Sequence, residues 1–108
     1  MSVSRRSRIE AMLVDEPNDT FLRYSLAMEL EKENEHDLSL QKLAELQRDN
    51  PPYVPAFFMA AQQLVKLSKI AEARTALREG IEEARQQGNS HAAGEMSELL
   101  ASLGREGE

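Results

Sequence analysis

This chain repeats itself at a spacing of 34 residues. Pro17 and Pro51, Ala27 and Ala61, Leu30 and Leu64, Lys32 and Lys66, and Leu43 and Leu77 each stand 34 apart. So do the near-equivalents Leu26 and Ala60, Ser39 and Ala73, and His36 and Ile70. A fixed period of this size means that one supersecondary unit has been copied and stacked, each copy burying its apolar face against the next. Stacking of that kind produces a binding surface rather than a catalytic pocket.

Proline and glycine punctuate the chain at Pro17, Pro51-Pro52, Pro55, Gly88 and Gly104. Between them apolar residues recur at helical spacing, and no stretch alternates with the period of two that a strand needs. The spacing predicts six helices. The first runs over 4–14 with Ile9, Met12 and Leu13 inward, and the second over 20–33 with Leu22, Leu26, Ala27 and Leu30 inward. Asn34, a residue that tolerates the left-handed conformation, breaks the second helix. The third covers 37–48 with Leu40, Leu43 and Leu46 inward. The fourth covers 55–67 and opens on Pro55, whose missing N–H costs nothing in a first turn. The fifth covers 70–87 (Ile70, Ala73, Leu77, Ile81, Ala84). After the Gly88-Asn89-Ser90 break, the sixth covers 91–103 (Met96, Leu99, Leu100, Leu103).

Charge and composition narrow the partners. Residues 1–14 carry Arg5, Arg6 and Arg8 against Glu10, a net of +2, whereas 15–50 carry a net of -6 and 51–108 a net of -2. An acidic body argues against nucleic acid, because phosphate neutralisation needs clustered Lys and Arg. The Arg5-Arg6-Ser7-Arg8 cluster could touch an anionic partner, but such a cluster is more often a solvated helix start. With 41% apolar and 30% charged residues and no apolar run long enough to cross a bilayer, the expectation is a folded cytoplasmic domain with no membrane partner. The chain has no cysteine, which removes disulfides, thiolate catalysis and thiolate metal sites.

These features resemble the tetratricopeptide repeat, a 34-residue helix–turn–helix with small residues at the helix crossing and a closing proline. The first unit carries Leu26-Ala27, Leu30, Ser39, Leu43 and Pro51, and the second carries Phe57, Ala60-Ala61, Leu64, Ala73 and Leu77. Ala27, Ala61, Ser39 and Ala73 sit where the helices of a hairpin must approach closely. Ile9, Met12 and Pro17 lie 34 residues before Leu43, Leu46 and Pro51, so the first helix reads as the second half of an incomplete repeat. The resemblance implies an all-α, helical-hairpin solenoid of about six antiparallel helices, one domain over 1–108. Its parts are a partial-repeat helix at 4–16, repeat one at 18–51, repeat two at 52–87, a capping helix at 90–103 and a frayed tail at 104–108. Three departures stand out. Arg23 replaces a large aromatic, Arg85 stands where a Pro would close repeat two, and Gly80 replaces Leu46 inside a helix, at a cost of about 1 kcal/mol unless close packing uses it.

Similar proteins bind extended peptides or helices in a concave groove lined by the first helix of each hairpin. Here Phe21, Tyr24 and Met28 form a second stripe on one face of the second helix, with Lys32 at its edge. On the fourth helix Phe58, Gln62 and Lys66, with Met59 and Val65 alongside, continue it. Either the terminal helices and turns cover these residues, or they form an apolar, methionine-rich groove for a partner segment. The groove reading implies a non-enzymatic scaffold for a protein or peptide partner. The alternative is a homo-oligomerisation module, with this patch or the sixth helix making a homodimer. Family members that grip acidic chaperone tails use a Lys, Asn and Arg clamp, which Tyr24, Met28 and Met59 cannot supply.

Chemistry finds little support. His91 and Glu95 stand four apart but have no third ligand in view, His36 falls at a packing position, and the Glu29-to-Asp37 acids read as a solvated face. No nucleophile–base pairing, phosphate loop or glycine-rich fingerprint is present, so no catalytic residue, metal or cofactor is expected. The repeat register itself is testable: Ala27→Leu or Ala61→Leu should overpack a hairpin by about 1–3 kcal/mol, read as a lower melting temperature. Unchanged melting in both would mean that the register is wrong.

Overall fold

A computed structural model describes residues 4–104, and all of its regular structure is helical. The helices are α1 (Arg5–Asp15), α2 (Thr20–Lys32), α3 (His36–Gln47), α4 (Val54–Lys66), α5 (Ile70–Gln86) and α6 (Ser90–Gly104). Each packs on its neighbours in the chain, and α4 also meets α6, giving a slab of 48 × 29 × 18 Å. Gly104 is the last residue of α6; positions 105–108 of the expected frayed tail lie outside the described residues.

Local chemistry sets the helix ends. Ser4 and Asp19 accept the Ser7 and Leu22 backbone N–H groups at 3.0 and 2.8 Å, and Asn89 Oδ1 accepts that of Ala92 at 3.1 Å. Asn34 takes φ 63°, and Ser68, 34 residues later, takes φ 62°; Gly88 does the same at 73°. At each point the next residue's N–H turns back to close the helix, with Glu35 donating to Leu30 O, Lys69 to Leu64 O and Asn89 to Ala84 O at 2.7–2.9 Å. The sequence period is thus also a backbone period.

The core is divided along the stack. Ile9, Leu26 and Leu30 join α1 to α2. Ala27, Leu43, Leu46, Ala56 and Ala60 join α2, α3 and α4. Phe57, Ala61, Ala73, Leu77, Met96 and Leu103 belong to the largest cluster, which joins α4, α5 and α6. Ala27, Ser39, Ala61 and Ala73 have no exposed surface, as the helix crossings demand. Met12 departs from expectation. Its counterpart Leu46 is fully buried, yet Met12 is 48% exposed, because no described helix lies over it.

Two of the sequence departures acquire physical reasons. Arg23 does not fill a hydrophobic slot but reaches the α3–α4 turn, where its guanidinium donates to both carboxylate oxygens of Asp49 at 2.6 and 3.2 Å. Gly80 is buried, and a Cβ there would stand 2.6 Å from both Phe57 Cβ and Met96 Sδ, so close packing does use it. Gly80→Ala should therefore destabilise the fold: overpacking costs about 1–3 kcal/mol against the ~1 kcal/mol gained in helix propensity. A melting temperature equal to or above that of the parent would contradict the packing.

Candidate functional site

A cavity of about 450 Å³ opens where residues of α2, α4 and α6 come together. Phe58, Met59 and Val65 of α4 and Leu99 of α6 supply its apolar wall, with Gln62, Lys66 and Glu31 at its polar edge. The i, i+3, i+4 spacing of the α4 residues places them on one stripe, and α6 closes the far side because it packs against α4. The expected residues Phe58, Met59, Gln62, Val65 and Lys66 are thus brought together.

The α2 residues of the expected stripe go elsewhere. Tyr24 is half-buried and sets its ring edge-on to Tyr53, with centroids 5.3 Å apart at 72°. Burial, and after it the neighbouring Tyr53, push the Tyr24 hydroxyl above its ordinary pKa. Met28 is half-buried and does not line the cavity. Lys32 pairs with Glu29 on its own helix at 3.3 Å. Phe21 is 71% exposed and turns toward α1 instead.

Behind the cavity lies a buried polar relay that joins the two repeats. Ser39 Oγ donates to the Ala27 carbonyl at 2.6 Å and accepts from Gln63 Nε2 at 3.0 Å. This chain of donors fixes the Gln63 amide with its Oε1 on the other side, where it has no hydrogen-bond partner among the described residues. Gln63 is 2% exposed and also lines the cavity. A larger cleft of about 690 Å³ lies at the turns, between Asn18, Pro51, Pro52 and Asn89, but it is mainly polar and the Arg23–Asp49 pair forms part of its lining. His91 Nε2 sits 3.5 Å from Glu95 on the exposed side of α6, and no group of three metal-ligating side chains occurs among the described residues.

No family model and no curated protein matches the sequence. The fold is similar to that of a Bordetella parapertussis protein solved in solution, 26% identical, with a TM-score of 0.82 over 97% of this chain and 91% of that one. It is also similar to a tetratricopeptide repeat domain protein from Salinibacter ruber, 28% identical, with a TM-score of 0.75 over 81% of this chain and 88% of that one. The chain has a tetratricopeptide-like fold. Tetratricopeptide-like solenoids present extended concave surfaces, which in general terms suits a protein-interaction role.

Three members of the cavity escaped sequence reading. Glu31 was hidden in an acidic run, and Gln63 stood outside the apolar stripe. Leu99 was counted only as a capping-helix core residue, because the tetratricopeptide-like period lengthens there: α2, α4 and α6 begin at Thr20, Val54 and Ser90. The relay can be tested directly. Ser39→Ala should cost about 1–3 kcal/mol, since it strands the buried Gln63 amide, and adding Gln63→Leu should recover part of that loss. Equal melting of the parent and Ser39→Ala would show that the relay contributes nothing.

Proposed function

We propose that this chain is a non-enzymatic, cytoplasmic protein-interaction adaptor that takes a peptide or helix of a partner protein into the α4 cavity. The observation that carries the reading is the convergence of Phe58, Met59 and Val65 with Leu99 in one recess of about 450 Å³. A recess of this size accepts an aliphatic or aromatic anchor side chain, and methionine adapts to its shape. Polar groups then fix orientation. Lys66 and Glu31 stand at the edge without a mutual ion pair, and the unpartnered Gln63 Oε1 offers an acceptor to a partner N–H. Tyr24, Met28 and Lys32 of α2 lie outside this recess and enter the reading only as secondary contacts. The repeat organisation also belongs to it: α1 as half a repeat, two hairpins over 18–51 and 52–87, and α6 as a cap.

The test uses the full chain and a Phe58→Ala/Val65→Ser variant as paired baits in native lysate, with sedimentation of each bait alone. Proteins held by the parent and lost by an equally folded variant are the expected result. The same proteins retained by both baits would remove the cavity as the binding site. A concentration-dependent dimer that the variant abolishes would favour self-association instead.

A further inference from the structure

The most exposed large apolar side chains among the described residues cluster at the α1 end: Val14 at 80%, Phe21 at 71% and Met12 at 48%. Met12 and Phe21, with Ile9 and Leu22, form the apolar floor of a depression of about 320 Å³, and Arg5 and Arg8 stand on its rim.

The repeat shows what shape belongs there. One unit further along, α2 lies over Leu43 and Leu46 of α3 and over Ala56 and Ala60 of α4, contributing Tyr24 and Ala27. The residues 34 positions before those four are Ile9, Met12, Leu22 and Leu26. The same concave junction therefore exists between α1 and α2, and no described helix fills it. A backbone path that receives a helix in one unit receives a helix in its copy, because the crossing geometry is set by the same ridges and grooves.

Charge then sets the chemistry of that helix. Arg5 stands where Ser39 and Ala73 stand in the other units, so a helix lying here meets a guanidinium rather than a hydroxyl or a methyl. Arg5 is 3.4 Å from Glu29, but Glu29 also holds Lys32 at 3.3 Å, and the Arg5 side chain remains 72% exposed. Arg5 can thus turn to a second carboxylate without leaving Glu29 unpaired. The remainder of the molecule is strongly acidic, which makes this basic, apolar end the favoured landing point for an acidic segment.

We propose that the face made by α1 and the start of α2 docks an acidic amphipathic helix of a partner protein, at a second site that does not depend on the α4 cavity. The helix presents an aromatic and a small residue three apart, as Tyr24 and Ala27 do, with a carboxylate toward Arg5.

Two fluorescein-labelled, helix-forming peptides of about four turns provide the probe. Both copy the spacing of Tyr24, Ala27 and Leu30, and they differ only in carrying glutamate or lysine one turn beyond the alanine. Titration of the full chain into each, followed by anisotropy, should show saturable binding of the glutamate peptide that weakens with salt, and binding of the lysine peptide weaker by about tenfold. Phe21→Ser, at an exposed position and with melting checked, should weaken the glutamate peptide by about tenfold, as the loss of an interfacial anchor does, whereas Phe58→Ala should leave it unchanged. Equal affinity for the two peptides, or loss with Phe58→Ala but not with Phe21→Ser, would overturn the proposal. So would a dimer of the chain alone that Phe21→Ser abolishes, because a second copy would then be the occupant.

Discussion

Everything in this fold depends on how closely the two helices of a hairpin can approach. Ser39 Oγ reaches the Ala27 carbonyl at 2.6 Å, a distance possible only because both residues are small and fully buried. In the second hairpin Ala61 and Ala73 take the same places without a hydroxyl. Once the crossings are this tight, Leu43 and Leu77 drop fully out of solvent, and the turns must fall where Asn34 and Ser68 adopt left-handed backbone. Gly80 is a further consequence. The second hairpin must also admit Phe57 and Met96, and at that point even one methyl group has no room.

The junctions between units use one pair of positions in three chemical forms. Glu29, Gln63 and Leu99 are each tenth in their helices, α2, α4 and α6. Glu29 meets Arg5 of α1 as an ion pair, and Gln63 meets Ser39 of α3 as a hydrogen bond. Leu99 packs on the apolar cluster that holds Ala73 of α5. The interface thus passes from ionic to apolar along the stack. Polar contact at one of these positions needs a matching partner on the preceding helix, whereas apolar contact needs only volume. The register at the front and middle is therefore specified more narrowly than at the back. That difference coincides with the place where the spacing between equivalent helices relaxes from 34 to 36, between Val54 and Ser90.

Much of the scaffold was legible because repetition multiplies weak signals. A single Ala27 says little, but Ala27 with Ala61, and Ser39 with Ala73, fix a crossing. The α4 half of the cavity was legible for the same reason, through the stripe of Phe58, Gln62 and Val65. What stayed hidden involved residues whose partners are distant and unlike them. Arg23 read as a defect in the pattern until Asp49, 26 residues on, was seen to accept both of its bonds. Leu99 was hidden by the length of α5, 17 residues against 12 in α3, which moves α6 out of the strict period. Met12 illustrates the opposite error. Periodicity marks a side chain as able to face a helix, but it does not report whether a helix lies over it.

The two ends of the array are therefore unequal in kind. At the back, α6 buries Ala93, Met96 and Leu103, and Arg74 donates to the Leu103 carbonyl at 2.8 Å to hold the last turn. At the front, α1 buries only Ile9 and relies on Arg5 with Glu29 and Arg6 with Glu33, contacts that solvent and salt weaken. A helix held by one buried side chain and exposed ion pairs lies at the low end of local stability, where sites that adapt to a partner tend to occur. Among the described residues no helix covers Met12 and Phe21, and α1 has a packed helix on one side only, whereas α3 and α5 are packed on both. Exposure and sparse packing at the front thus go together, and any segment that packs on Met12 and Phe21 would add to the single buried contact that Ile9 gives α1.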